Sequence, residues 1–201
     1  PTQMRDLFAN YYLINAVKIH KAERSTDGTI KYSLQLHDKR KVEGVLIPAK
    51  KRLTACVSSQ VGCSLDCSFC ATGTLELGRN LTYAEIYDQV FILNEEALTH
   101  FGKPLSNIVY MGMGEPLLNY NNVLESTNFV CSTEGLGMSP KRITVSTSGI
   151  AKMIMKLADD DVKFNLAISL HAPNTLVLGG SQYHLVPTLQ NEPAFLDVQS
   201  T

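Results

Sequence analysis

The sequence alternates between strand and helix patterns after about residue 50, and this alternation constrains the fold more than any other feature. Four short apolar stretches have strand character, at 54–58, 107–111, 142–146 and 164–170. Helical patterns separate them: a Thr82–Glu85 capping box followed by an apolar helical face, then 122–132 and 150–158. Because such alternation gives a parallel sheet covered by helices, the sequence predicts an α/β fold.

Two further strands are predicted ahead of this pattern. Residues 30–36 alternate between apolar and polar side chains, 37–41 form a polar turn, and Pro48 ends an apolar run at 42–47. The sequence therefore predicts a β-hairpin before the α/β part. Four strand–helix units are too few to close a barrel.

Composition narrows the class of protein. Hydrophobic residues make up 44% and charged residues 18%, with a net charge of −1, which is typical of a globular chain and gives no general sign of nucleic-acid binding. Six basic residues precede the cysteines, and they indicate either a phosphate-binding patch or a solvated hairpin: Lys39, Arg40, Lys41, Lys50, Lys51 and Arg52. No apolar run is long enough to span a membrane, and the odd number of cysteines favours a reducing, cytoplasmic compartment.

Three cysteines are crowded into one loop. Cys63, Cys67 and Cys70 have the spacing C-x3-C-x2-C. Thiolates suit iron–sulfur clusters, and three of them leave one iron of a four-iron cluster open. An open iron can chelate the amine and carboxylate of S-adenosylmethionine. The spacing therefore predicts a metal centre at which S-adenosylmethionine is cleaved.

Two other metal sites fit the loop less well. Zinc would need a fourth ligand, for which His171 and His100 are the candidates. An electron-transfer cluster would need a fourth cysteine, but Cys131 lies on a predicted helix, where a buried thiol without a chemical role is expected.

Three polar stretches follow predicted strands, where ligands bind in parallel α/β folds. In the first, Gly114 allows close approach to the backbone and Glu115 can accept hydrogen bonds from an ammonium group. The others contain Ser146 and the run Ser169–His171. Each has an ordinary structural explanation by itself, and their shared location favours a common ligand.

Taken together, the motifs resemble the RlmN-type dual-specificity RNA adenine-C2 methyltransferases, a group of radical S-adenosylmethionine enzymes. The likeness runs from about residue 25 to 174. The matching motifs are Val42-Glu43, Ile47-Pro48, Cys56-Val-Ser-Ser-Gln-Val-Gly-Cys63, Cys67, Phe69-Cys70-Ala-Thr-Gly, Arg79-Asn-Leu-Thr, Met111-Gly-Met-Gly-Glu-Pro-Leu-Leu-Asn119, Ser139-Pro-Lys-Arg-Ile-Thr-Val-Ser-Thr-Ser-Gly149 and Ser169-Leu-His-Ala-Pro-Asn174. The resemblance implies a partial (βα)6-type barrel with about four βα units.

The resemblance also implies roles for single residues. Cys63, Cys67 and Cys70 would hold a 4Fe-4S cluster, Glu43 would accept a proton, and Cys56 would resolve a covalent protein–RNA intermediate by forming a disulfide. The residues implied to contact S-adenosylmethionine are Gly114, Glu115, Ser146, Ser169, Leu170 and His171.

In this family, carbon 2 of an adenine in large-subunit ribosomal RNA or tRNA receives a methyl group carried on a second cysteine near the C-terminus. The implied partners are these RNAs and an electron donor such as flavodoxin, and the implied state is monomeric. Other possibilities are methylation of adenine carbon 8, as in the sister group, and a metal-binding fragment without catalysis.

The chain departs from the family pattern at both ends. We expect residues 1–24 to be the remnant of a linker or of an N-terminal RNA-binding domain, 25–174 to be an incomplete radical core, and 175–201 to be a tail unlike the family. Because the methyl-carrying cysteine has no match, the sequence predicts that this chain alone does not complete methyl transfer.

Overall fold

The computed structural model describes residues 16–65, 67 and 70–169. Its strands are β1 (Lys18–Arg24), β2 (Ile30–Gln35), β3 (Lys41–Pro48), β4 (Leu53–Cys56), β5 (Gln60–Val61), β6 (Arg79–Asn80), β7 (Asn107–Tyr110), β8 (Ile143–Thr147) and β9 (Asn165–Ile168). Its α-helices are α1 (Tyr83–Phe101), α2 (Tyr120–Cys131) and α3 (Ala151–Asp159). Short 3₁₀ turns lie at Ala71–Thr74, Pro116–Asn119 and Pro140–Arg142.

Seven strands form one mixed sheet in the order β1-β2-β3-β4-β7-β8-β9. The strands from β1 to β4 are antiparallel to their neighbours, whereas β4, β7, β8 and β9 run parallel. Helices follow β4, β7 and β8, which matches the predicted α/β fold and its incomplete barrel. The remaining strands, β5 and β6, form a separate two-stranded ladder that closes the cysteine loop.

All three helices cover the same face of the sheet. One continuous hydrophobic core contains Leu34 and Val145 from the sheet together with Leu93, Val123 and Leu157 from the helices. Alternate residues of β2 and β3 point into this core, as the burial patterns of both strands show. The opposite face carries no helix in the described part of the chain, and we call it the open face.

The predicted capping box starts α1. The hydroxyl of Thr82 accepts a hydrogen bond from the backbone amide of Glu85, whose carboxylate accepts one from the amide of Thr82. The helix ends at Gly102, whose φ of 65° is the left-handed conformation that favours glycine at a C-terminal cap. None of the described helices is both long and apolar enough to cross a membrane.

Two features differ from the sequence-based expectations. Strand β1 was not predicted, because its charged residues show no alternation, yet it pairs with β2 along its whole length. The basic residues do not form a single patch either. Lys39–Lys41 lie near the carboxyl ends of the parallel strands, whereas Lys50–Arg52 follow β3 at the opposite end of the sheet, about 25 Å away at 3.3 Å per residue.

Candidate functional site

The candidate site lies at the carboxyl ends of the parallel strands and on the adjoining open face. The cysteine loop follows β4, the loop containing Gly114 and Glu115 follows β7, and Ser169 comes after β9. Three predicted site residues lie on the open face: Glu43 in β3, Cys56 in β4 and Ser146 in β8. The fold therefore brings these separate parts of the sequence to one side of the sheet.

A hydrogen-bonded ladder joins the segment 57–60 to the loop 112–115. The carbonyl of Met113 accepts hydrogen bonds from the amides of Ser59 (2.9 Å) and Gln60 (3.1 Å). The amide of Met113 donates to the hydroxyl of Ser58 (2.9 Å), and the amide of Glu115 donates to the side-chain oxygen of Gln60 (2.8 Å). This ladder fixes the start of the cysteine loop against the loop that was predicted to bind S-adenosylmethionine.

Gly114 is required by this close approach. Its φ is 95°, and a Cβ atom at this position would lie 2.4 Å from Cβ of Gln60. Contacts this short do not occur between real side chains, so only glycine fits without movement of the ladder.

The Glu115 side chain is buried and has two backbone partners. One carboxylate oxygen accepts from the amide of Leu117 (3.0 Å) and the other from the amide of Ser148 (2.8 Å). Glu115 thereby connects the loop after β7 to the loop after β8. Each carboxylate oxygen has a second lone pair, so the group can still accept a hydrogen bond from a ligand's ammonium.

The cysteine loop is closed at its base by the β5–β6 ladder. Within it, the amide of Cys70 donates to the carbonyl of Cys67 (2.9 Å), and the amide of Leu65 donates to Sγ of Cys63 (3.4 Å). Burial raises the pKa of Cys63, and the charges of Glu115 and Cys70 raise it further. A bound metal reverses this preference, because it takes the thiolate as its ligand.

The arrangement of these thiols bears on the kind of metal centre. Within the described ranges, no three His, Cys, Asp or Glu side chains are placed to hold one metal ion. His100 cannot supply a fourth zinc ligand near the loop, because it lies in the last turn of α1, a helix about 28 Å long that starts beside the loop. His171 lies outside the described residues.

Cys131 is also remote from the cysteine loop. It ends α2, is half-buried, and packs against the hydrophobic core. Burial raises its pKa, which agrees with the structural role predicted for this thiol.

Cys56 and Glu43 lie on neighbouring strands of the open face. Cys56 is opposite Val45 in the β3–β4 register, and Glu43 is two residues before Val45. Burial raises the pKa of Cys56 to about 11, the amide of Met111 partly offsets this by hydrogen bonding, and the charge of Glu43 adds to it. Cys56 is therefore held as a neutral thiol at neutral pH. Cys56 is a free thiol, so the implied disulfide is not formed within the described part of the chain.

A charged cluster anchors the end of the cysteine loop. The guanidinium of Arg79 makes two hydrogen bonds to the Glu85 carboxylate, at 2.7 and 2.8 Å, and one to Asp38 at 2.8 Å. Burial alone would raise the pKa of Glu85, but hydrogen bonds from Arg79 and the Thr82 amide outweigh burial and lower it. His37 also contacts Glu85, at 3.2 Å.

Of the remaining predicted site residues, the structure describes Ser146 and Ser169. The Ser146 hydroxyl donates to the carbonyl of Tyr110 (2.8 Å) and can still accept a hydrogen bond. The amide of Ser169 donates to the carbonyl of Thr147 (2.9 Å). Leu170 and His171 lie outside the described residues.

Sequence reasoning missed several residues that organise the site. The sequence places Ser58, Gln60 and Asn119 in family motifs but implies no role for them. In the structure, the Asn119 side-chain amide donates to the carbonyls of Ser59 and Leu81. Lys31 on the open face was also missed. These roles depend on contacts between distant segments, for which the sequence contained no signal.

Comparison with known proteins finds similarity over most of the chain. The family model described as the radical SAM superfamily matches residues 57–182. Among the relatives, the "Probable dual-specificity RNA methyltransferase RlmN" of Flavobacterium psychrophilum is 60% identical over 168 residues, covering 84% of this chain and 48% of that protein. The protein of the same name from Thermus thermophilus is 41% identical over 194 residues, covering 96% of this chain and 53% of that protein.

A solved structure is similar as well. The crystal structure of a radical SAM methyltransferase from Sphaerobacter thermophilus matches with a TM-score of 0.82 and 40% identity, covering 87% of this chain and 51% of that one. The chain thus spans about half the length of the curated relatives it matches.

Proposed function

This chain belongs to the radical SAM superfamily, and from that premise we propose that it is the catalytic segment of an RlmN-type RNA methyltransferase. The substrate atom is carbon 2 of an adenine in ribosomal RNA and tRNA. The observation that carries this proposal is the grouping of Glu43 and Cys56 on the open face, at the same end of the sheet as the three-cysteine loop.

The residues fit the cofactors of this superfamily. Three thiols on one loop match a 4Fe-4S cluster that keeps one iron free, and when bound this cluster supplies the electron that cleaves S-adenosylmethionine. Glu115 and Ser146 retain acceptor capacity at the strand ends, where they can bind the amine and ribose of S-adenosylmethionine. The ladder between 57–60 and 112–115 holds the two cofactor-binding loops in register.

Glu43 and Cys56 perform the later steps in this proposal. After the new carbon–carbon bond has formed, the adduct radical must lose one electron, which the bound cluster would be able to accept, and the Glu43 carboxylate accepts the proton from adenine carbon 2. The Cys56 thiolate then attacks the sulfur of the methyl-carrying cysteine, for which this chain has no match. The disulfide forms as the bond from that sulfur to the methylene carbon breaks, and this carbon takes the electron pair and a proton to become the methyl group of the released RNA. Because Cys56 is protonated at neutral pH, its reaction requires loss of the thiol proton within the site.

The proposal also covers the location, the oligomeric state and the electron donor of the whole protein. We place it in the cytoplasm as a monomer that receives electrons from a donor such as flavodoxin. Because this chain covers about half of its relatives, we expect residues 1–201 alone to produce no methylated adenine.

The test uses the full-length protein, reconstituted with iron and sulfide without oxygen and incubated with ribosomal RNA, tRNA, S-adenosylmethionine and a reductant. Mass analysis of the nucleosides should find 2-methyladenosine. Replacing Cys67 with Ala should abolish the product and reduce the iron content, whereas the matched control Cys131→Ala should retain both. Finding 8-methyladenosine would assign the protein to the sister activity, and finding neither product would contradict the proposal.

A further inference from the structure

An ion pair on the open face involves a residue without an assigned role. Nζ of Lys31, in β2, lies 2.6 Å from Oε1 of Glu43 in β3. In the β2–β3 register Ser33 is opposite Glu43 and Lys31 is opposite Val45, so the pair spans the two strands diagonally. This is within the reach of long side chains on adjacent strands.

The pair contributes little to holding the sheet together. The Lys31 and Glu43 side chains are 53% and 50% exposed, and exposed ion pairs typically contribute about 0.2–1 kcal/mol. The packing of β2 comes instead from Tyr32 and Leu34, which are fully buried on the other face. The Lys31–Glu43 pair is therefore not needed for the stability of the sheet, and its position beside Cys56 suggests a role in the site instead.

Lys31 lies between two carboxylates and pairs with one of them. Glu23 is opposite Lys31 in the β1–β2 register, but its carboxylate is hydrogen-bonded to Lys21. The ammonium group of Lys31 instead contacts Glu43, the carboxylate whose charge acts on Cys56.

Glu43 is consequently held at two points. The hydroxyl of Ser58 donates to its backbone carbonyl at 2.7 Å, which fixes the main chain, and Lys31 restrains its flexible side chain. A general base must come within hydrogen-bond reach of the proton it removes, and a misplacement of about 1 Å can cost on the order of 100-fold in rate.

We propose that Lys31 is a positioning residue that holds the Glu43 carboxylate in the correct direction for removal of the proton from adenine carbon 2. This inference rests on the function proposed above. Because proton removal follows cleavage of S-adenosylmethionine, loss of Lys31 uncouples the two. Cleavage continues, but less of it leads to methylated adenine.

The experiment measures 2-methyladenosine formed per 5′-deoxyadenosine released by the full-length reconstituted protein. Lys31→Met should lower this ratio about tenfold, and Lys31→Arg should restore most of it. Two controls should keep the wild-type ratio. Glu23→Gln removes the other carboxylate facing Lys31, and Lys41→Met removes a lysine of β3 that contacts His20 rather than a carboxylate.

The outcomes are separable. If Lys31→Met keeps the wild-type ratio, or if cleavage and methylation fall together, Lys31 does not act through Glu43 and the inference is wrong. A Lys31→Arg variant as impaired as Lys31→Met would also contradict it. If the wild-type protein forms no methylated adenine, the proposed function itself fails, and this inference fails with it.

Discussion

Arg79 should stabilise the end of the cysteine loop chiefly through Glu85. The two side chains form a two-point contact at 2.7 and 2.8 Å, in which the Glu85 side chain is 6% exposed and that of Arg79 is 26% exposed. Substitution Arg79→Met keeps a side chain of similar length but leaves the carboxylate in a poorly solvated position. The other partners of the Glu85 carboxylate, which are the Thr82 amide and His37, remain in this variant.

The size of the effect follows from this burial. Exposed ion pairs contribute about 0.2–1 kcal/mol, whereas breaking a buried pair costs about 3–5 kcal/mol. The Arg79–Glu85 pair lies between these limits, so we expect a coupling energy of about 2 kcal/mol. Loss of the 2.8 Å bond to Asp38, which is more exposed, adds up to about 1 kcal/mol. The total for Arg79→Met is about 3 kcal/mol.

A double-mutant cycle with Glu85→Gln isolates the pairwise energy. Hydrogen exchange of the amides in 60–82 of the full-length protein reports local opening, and a loss of about 3 kcal/mol would raise exchange rates about 100-fold, at 1.4 kcal/mol per factor of ten. A coupling energy below about 0.5 kcal/mol, which is the level of an exposed pair, would refute the reasoning.

The same pair predicts a pH dependence. The pKa of Glu85 in the folded protein is lower than its ordinary value of 4.5, so its stabilising contribution is present above that value and is lost as the pH falls through the folded-state pKa. The difference between wild type and Arg79→Met should therefore be full at pH 7 and shrink as the pH falls below 4.5. A difference that stays constant to pH 3 would contradict this assignment.

Two further predictions test the ladder and the buried thiol. Gly114→Ala should lower the free energy of unfolding by about 2 kcal/mol or more, because the new Cβ would meet Gln60, whereas Gly137→Ala, at a φ of 59° with nothing within 4 Å, should cost about 1 kcal/mol. Equal losses of thermal stability in Gly114→Ala and Gly137→Ala would contradict the close contact between Gly114 and Gln60. Iodoacetamide should alkylate Cys56 at pH 8 about 100-fold more slowly than an ordinary thiol of pKa 9.0, and the rate should rise toward pH 11. Rapid labelling at pH 8 would be the contrary result.

Local patterns were sufficient to predict the four parallel strands and the three helices of the α/β part, but not the short strands β5 and β6. The capping box at Thr82 and Glu85 is a signal within four residues, and the structure confirms it in both directions. Strand β1 lacks such a signal. All seven of its residues are exposed, so its extended conformation depends on pairing with β2 rather than on its own side chains.

In the site, too, some features follow from local sequence signals and others depend on contacts between distant residues. Position at the carboxyl end of a strand could be predicted for Glu115 and Ser146, because it follows from the order of elements along the chain. The amide of Glu115 donates to the Gln60 side chain and the amide of Met113 donates to Ser58, and each bond joins residues 55 positions apart, which no local pattern encodes. They have a consequence for function. Because the backbone of 112–115 is bonded directly to 57–60, any shift of the cysteine loop also moves the groups proposed to bind S-adenosylmethionine, and the two loops must act as one unit.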